Sequence, residues 1–230
     1  MTLARSLRPL LMVLLLAPLA AQAQDDPEYR MEIGAGAGLQ TYQGDFGGGL
    51  LKHMQPMGGA VAKYKPNPRM AWAATLSYGK LKGRSEDTKT WYPDYAGAPI
   101  EFSTTMTTLD VAFEYNFWAF GTGREYRGAR PLTPFITAGM GLCFAKCDAS
   151  VCAFEMPLGL GVKYKLADRL NLTATWLMHL TGSDKLDGVK DPYGIKSSGL
   201  FKNTDCYSTL QIAVTYDIWA KCKTCHNDRE

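Results

Sequence analysis

Residues 207–219 alternate in polarity: Leu210, Ile212, Val214, Tyr216 and Ile218 share one parity, and Thr209, Gln211, Ala213, Thr215 and Asp217 share the other. Successive side chains of an extended strand point to opposite faces, so this segment is predicted to be a strand with one wholly apolar face. The pattern recurs. Residues 104–117 set Leu109, Val111, Phe113, Tyr115 and Phe117 against Thr108, Asp110, Ala112, Glu114 and Asn116. Residues 155–166 set Met156, Leu158, Leu160, Val162, Tyr164 and Leu166 against Glu155, Gly159, Gly161, Lys163 and Lys165. Residues 169–180 set Leu170, Leu172, Ala174, Trp176, Met178 and Leu180 against Asn171, Thr173, Thr175 and His179. Less regular alternation at 29–41, 57–65, 70–81 and 133–144 completes a set of eight.

Each segment is about 9–13 residues long, the length a tilted strand needs to cross a bilayer. A soluble β-sandwich also alternates, but its strands are usually about 5–6 residues long and its outward face is polar. Here the second face consists mostly of small residues with a few charges, which suits the narrow interior of a small barrel. The predicted fold is all-β: an eight-stranded, antiparallel, up-and-down transmembrane β-barrel. Arg30, Glu32, Lys63, Asp110, Glu114, Lys163 and Asp217 are assigned to the interior. Unpaired charges there are costly, so these are expected to pair as a packed polar core with no transport role.

The start of the chain fits export to such a membrane. Residues 1–23 carry Arg5 and Arg8, an apolar run from Leu10 to Leu19, and Ala21-Gln22-Ala23 as a cleavage site, which together read as a removed signal peptide. The apolar run falls short of the roughly 20 residues of a spanning helix, and no cysteine follows it for lipidation. About 207 residues remain, the size of one all-β domain, read as a barrel at 24–219 and a tail at 220–230. The 23 glycines, 12 tyrosines and 5 tryptophans favour strands and turns. A formal charge of +3 falls to about +1 without Arg5 and Arg8, so no basic patch argues for nucleic acid.

Turn lengths orient the barrel. Residues 65–69 ("KPNPR") and 166–169 ("LADR") are tight turns, whereas 42–56, 82–102 and 182–206 are long and polar or glycine-rich. Outer-membrane barrels keep short turns in the periplasm and long loops outside, which places both termini in the periplasm. The exception is 119–132, a longer turn on the periplasmic side with Arg124, Arg127 and Arg130, read either as a partner surface or as a solvated basic loop. Tyr29, Tyr64, Trp72, Phe117, Trp118, Tyr164, Tyr216 and Trp219 collect near that rim as an aromatic girdle.

Motifs for chemistry are sparse. "GAGAG" at 34–38 lacks the G-x-G-x-x-G spacing and opens no helix; its glycines are expected to make room for bulky lumen side chains from opposite strands. His53, His179 and His226 lack metal-ligand spacing with one another, and neither G-x-S-x-G nor H-E-x-x-H occurs. No motif places a nucleophile beside a base, so neither an enzyme nor a cofactor or metal site is expected. Six cysteines in an exported chain are compatible with disulfides. Cys143, Cys147, Cys152 and Cys206 map to the extracellular end, where Cys147 with Cys152 closes a short loop and Cys143 reaches Cys206 if the last long loop folds over the mouth. Cys222 and Cys225 lie at the other end, with three readings: a local disulfide, a zinc half-site, or a link to another protein. Cys222, Cys225 and His226 supply at most three of the four ligands zinc wants, and a redox role lacks the helix it needs. Local closure or a covalent periplasmic partner remains.

Taken in order, "EIGAGAGLQTYQGDF", "YKPNPRMAWAATLSYGKLKG", "PFITAGMGL", "MPLGLGVKYKLADRLNLTATW" and "VTYDIWAKCKTCHND" resemble the PorG-like outer-membrane β-barrels of the type IX secretion system, found in the Bacteroidetes. The likeness covers most of the mature chain; 83–101 and 143–152 have no counterpart in it. What it implies is a non-enzymatic component in the outer membrane that tethers a periplasmic ring of PorK-like lipoprotein and PorN-like protein; the position of Cys222 and Cys225 on the periplasmic tail makes either a candidate attachment point. The alternatives are a general OmpA/OmpX-like barrel acting through its extracellular loops, and a small lipid-modifying barrel enzyme.

Overall fold

The computed structural model describes residues 28–43, 53–84, 101–122, 128–146, 150–183 and 205–220. The predicted signal segment and the C-x-x-C tail lie outside them. Eight strands follow in chain order: β1 (Tyr29–Gln43), β2 (Gln55–Asn67), β3 (Met70–Arg84), β4 (Glu101–Asn116), β5 (Leu132–Lys146), β6 (Ser150–Ala167), β7 (Leu170–Thr181) and β8 (Cys206–Ala220). Each pairs antiparallel with its sequence neighbour, and β1 closes on β8 from Tyr29↔Ala220 to Gln43↔Cys206. The result is a closed up-and-down barrel, as the alternation predicted. Closure leaves no unpaired sheet edge, a requirement for backbone placed in hydrocarbon.

The outer wall is apolar. Leu76, Met140, Leu160 and Ile212 are each more than half exposed, as are large side chains at equivalent parity on neighbouring strands. So much exposed apolar surface is untenable in water, and a lipid belt accounts for it. Tyr64, Trp72, Phe117, Trp118, Tyr164, Tyr216 and Trp219 stand exposed around the rim where both termini emerge, with Tyr29 half-buried among them. The tight turns at Pro68–Arg69 and Asp168–Arg169 belong to this same terminal rim.

Several strands run further toward the opposite, loop rim than the alternation indicated. β3 reaches Arg84, β4 starts at Glu101 and β6 starts at Ser150. The cause is an inversion of polarity. Here Tyr42, Leu81, Phe102, Met106, Cys143, Ala145 and Tyr207 pack inside the barrel as its buried apolar core. On the outside, Lys80, Lys82, Arg84, Glu101 and Lys146 face outward, with an Arg84 to Glu101 ion pair at 2.9 Å. An apolar-inside, polar-outside wall is the arrangement for water, so this end of the barrel stands clear of the lipid.

The glycines of the GAGAG segment work differently from the sequence expectation. A Cβ on Gly34 would lie 2.1 Å from the Val214 carbonyl oxygen and 2.6 Å from the Thr215 Cα. The neighbour is thus the adjoining strand β8 itself, not side chains from across the lumen. Glycine is required where the two backbones approach so closely.

If the belt faces lipid, a charge at its middle must be expensive. Replacing Leu160 or Ile212 with arginine is expected to destabilise the refolded barrel in lipid vesicles by about 2–4 kcal/mol, while Lys82→Leu above the belt leaves stability nearly unchanged. Denaturant titrations followed by heat-modifiable gel mobility measure both.

Candidate functional site

The inward positions of the barrel divide into two polar clusters. Nearer the terminal rim, Lys63 of β2 meets Glu114 of β4 at 3.0 Å, and Lys163 of β6 meets the same carboxylate at 2.6 Å. One step lower, Lys165 of β6 pairs with Asp217 of β8, which in turn accepts Lys65 of β2 at 2.7 Å. These links run β2 to β4 to β6 to β8 and back to β2. Non-adjacent strands are therefore joined in a closed circuit across the lumen. Lys65 also reaches Glu32 of β1 at 2.9 Å, and Thr215 donates to that carboxylate at 3.0 Å. All of these charged side chains are buried.

With Glu32 counted, the cluster holds four lysines and three carboxylates, and aromatic rings offset the excess. Lys163 and Lys63 lie 4.7 Å and 5.7 Å from the centre of the Phe135 ring. Lys165 faces Tyr29 at 5.4 Å and Phe120 at 5.8 Å. Such contacts are worth more when desolvated, as here.

Below the circuit, Phe120, which follows β4, lies against the end of the lumen, its ring facing Lys165. Phe120 is buried, its amide donating to the Pro68 carbonyl at 3.0 Å, and Gly121 and Arg130 take part in backbone bonds within the β4–β5 connection. The Lys165 amide donates to the Pro131 carbonyl at 2.7 Å. Of the predicted basic surface, Arg130 is exposed with its guanidinium 5.0 Å above the Trp118 ring. Arg124 and Arg127 lie outside the described residues.

The second cluster lies toward the loop rim: Asp110 of β4, Glu155 of β6, His179 of β7 and Tyr207 of β8, all buried. Tyr207 donates to Glu155 at 2.5 Å and stacks on the His179 ring with centroids 4.2 Å apart. Asp110 was expected to join the ion-pair core. It does not, because it stands two inward steps above Glu114 and has no lysine at its own level. Arg30 also takes no part in a salt bridge among the described residues. Conversely Lys65, Lys165, Glu155 and His179 were not foreseen as members of these clusters. Their inward parity was the available signal, and strand pairing supplies the levels that parity lacks.

The cysteine expectation is corrected in one respect. Cys143 has a free, buried thiol on the lumen face of β5, whereas alternation places Cys206 on the outer face of β8. Two side chains on opposite faces of the wall, on non-adjacent strands, do not form a disulfide. Cys152 is exposed on the outer face of β6. Its suggested partner Cys147, and the tail thiols Cys222 and Cys225, lie outside the described residues.

Apolar outer wall, closed sheet and ion-paired interior define a transmembrane β-barrel of the outer-membrane type. The chain belongs to the DUF6089 family, a domain of unknown function whose match spans residues 5–227. No curated protein matches it by sequence. Among solved structures it is similar to Neisserial surface protein A, with 13% identity, a TM-score of 0.52, and coverage of 82% of this chain and 97% of that one. The N-terminal β-barrel domain of Pseudomonas aeruginosa OprF matches at 14% identity and a TM-score of 0.41, covering 81% and 97%. Ail of Yersinia pestis matches at 11% identity and a TM-score of 0.45, covering 83% and 99%. At these identities the Neisserial comparison supports the fold; the other two, with lower scores, add nothing to it.

Removing one member of a buried pair leaves its partner uncompensated. Glu114→Gln strands both Lys63 and Lys163 and is expected to cost about 3–5 kcal/mol of barrel stability. Replacing Lys63, Glu114 and Lys163 together by apolar residues of similar volume is expected to restore most of that loss, which denaturant titration in detergent can establish.

Proposed function

We propose that this protein is a non-enzymatic outer-membrane anchor of the type IX protein secretion machinery, which tethers a periplasmic ring of PorK-like lipoprotein and PorN-like protein to the membrane. The observation that carries the anchor reading is the filled lumen. The Lys63, Glu114, Lys163 and Lys65, Asp217, Lys165 circuit crosses the barrel, and Phe120 lies against the end of the lumen beneath it. With the interior committed to packing, the surfaces left for work are the two rims.

The resemblance to PorG-like barrels directs the choice of partner. The tight turns share a rim with the termini, and such turns face the periplasm in outer-membrane barrels. In that orientation the Trp118 and Arg130 stack and the tail bearing Cys222 and Cys225 all face the ring. Arg130 then offers a charge-assisted contact to an acidic partner surface, and the thiol of Cys222 or Cys225 a covalent one in an oxidising compartment. A catalytic reading gains no support from His179. Its hydroxyl partner is Thr209, 3.3 Å away, and both are sealed within the lumen.

The test is a mild-detergent pull-down of tagged protein from outer membranes, run on gels with and without reductant. The expected result is co-purification of the ring proteins, with a heavier band that collapses on reduction and is absent from a Cys222→Ser, Cys225→Ser variant. Arg130→Glu is expected to weaken the association further. Recovery of the barrel alone under both conditions would contradict tethering and favour a general OmpA/OmpX-like barrel acting through its long loops.

A further inference from the structure

Asp110, Glu155 and His179 differ from the acidic residues of the ion-pair circuit. Glu32, Glu114 and Asp217 each contact at least one lysine, while Asp110 and Glu155 face each other directly with the His179 imidazole beside them. One ligand atom from each of the three lies within 4.8 Å of the other two. Each residue is at least nine-tenths buried, so water does not disperse this concentration of lone pairs.

Asp110 and Glu155 lie within hydrogen-bonding reach of each other, a contact that requires a proton shared between two carboxylates and that a cation would replace; the remaining bonds come from neighbouring side chains. Thr108 donates to Asp110 Oδ2 at 3.3 Å, leaving Oδ1 without a partner. Tyr207 donates to Glu155 Oε2, leaving Oε1 without one. Thr209 engages His179 Nε2 at 3.3 Å, and the Tyr207 ring stacked on the imidazole at 10° fixes its plane. His179 Nδ1 is then left facing Glu155 Oε2 at 3.6 Å, too far for a hydrogen bond. Hydroxyls thus hold one atom of each carboxylate and one ring nitrogen, while Asp110 Oδ1, Glu155 Oε1 and His179 Nδ1 have no hydrogen-bond donor or acceptor of their own, an arrangement like the outer shell of a metal centre.

Space is present as well. A cavity of about 50 Å³, lined by Asp110, His179, Thr209, Ser77 and Gln211, opens beside the cluster. The amide nitrogen of Gln211 is buried without a partner. At Gly141, which pairs with both Asp110 and Glu155, an added Cβ would lie 1.9 Å from Asp110 Oδ1. Only glycine leaves the carboxylate its place.

We infer that Asp110, Glu155 and His179 form a binding site for one divalent transition cation, which staples β4, β6 and β7 together in the upper lumen. An imidazole with two carboxylates suits zinc or a neighbouring first-row ion better than calcium or magnesium, whose ligands are oxygen alone. Coordination at about 2.0–2.2 Å draws the three donors together by roughly 1 Å and leaves a fourth position toward the cavity for water.

The experiment uses the full mature chain refolded in detergent, in a Cys222→Ser, Cys225→Ser background so that tail thiols contribute nothing. Zinc is added, unbound metal is removed by gel filtration, retained zinc is measured by elemental analysis, and affinity by chelator competition. Heat-modifiable mobility reports folding. One zinc per folded barrel is expected, lost in Asp110→Asn with Glu155→Gln. Thr209→Val, which touches only the outer shell, is expected to weaken affinity about 10–100-fold. Folded parent protein that retains no zinc would overturn the assignment, as would zinc retained equally by the carboxylate variant. Should that variant fail to fold, unchanged affinity in Thr209→Val and His179→Gln would overturn it just as well.

Discussion

A circuit of buried ion pairs that links alternate strands is the constraint around which the interior is arranged. Backbone hydrogen bonds join each strand to its neighbour, but they leave the cross-section of a small barrel free to flatten or shear. Lys63, Glu114 and Lys163 connect β2, β4 and β6, and Lys165, Asp217 and Lys65 connect β6, β8 and β2. In so narrow an interior, removing one partner of a pair leaves a buried charge uncompensated. The matching fixes which strands sit opposite one another. Lys163 and Lys165 also rest against Phe135, Tyr29 and Phe120, so Phe120 is itself part of the charge balance.

Above the circuit the interior changes character twice. First come Asp110, Glu155 and His179, acidic without a lysine, and then the apolar packing around Tyr42, Leu81, Phe102 and Met106. The wall outside changes in parallel, from lipid-facing leucines and isoleucines to lysines and Arg84. A single barrel thus combines a membrane segment with a polar inside and a projecting segment with an apolar inside. Both interiors contribute packing that holds the fold.

Strand number, order and the lipid face were legible because period-two alternation is a direct consequence of strand geometry. The projecting ends were not, since there the apolar parity switches faces and a rule expecting apolar residues outside loses the signal at Leu81 and Phe102. Glu32, Lys63, Glu114, Lys163 and Asp217 were placed correctly inside. Parity alone left Arg30 and Asp110 in the wrong company, because it assigns a face and not a height along the barrel axis. The Asp110, Glu155 and His179 grouping needed the pairing register for the same reason: its members are far apart in sequence and share no motif spacing. Cys143 and Cys206 were joined on the strength of lying at one end, and the parity of their strands separates them.

The central claim, an interior closed by matched charges, is tested most directly by electrical recording on the purified barrel in a planar bilayer. A sealed lumen is expected to give no stepwise conductance above that of the protein-free membrane across the applied voltage range. A stable, reproducible open channel from the folded parent protein would contradict it, because a continuous water path cannot coexist with the Lys65, Asp217, Lys165 and Lys63, Glu114, Lys163 bridges spanning the bore.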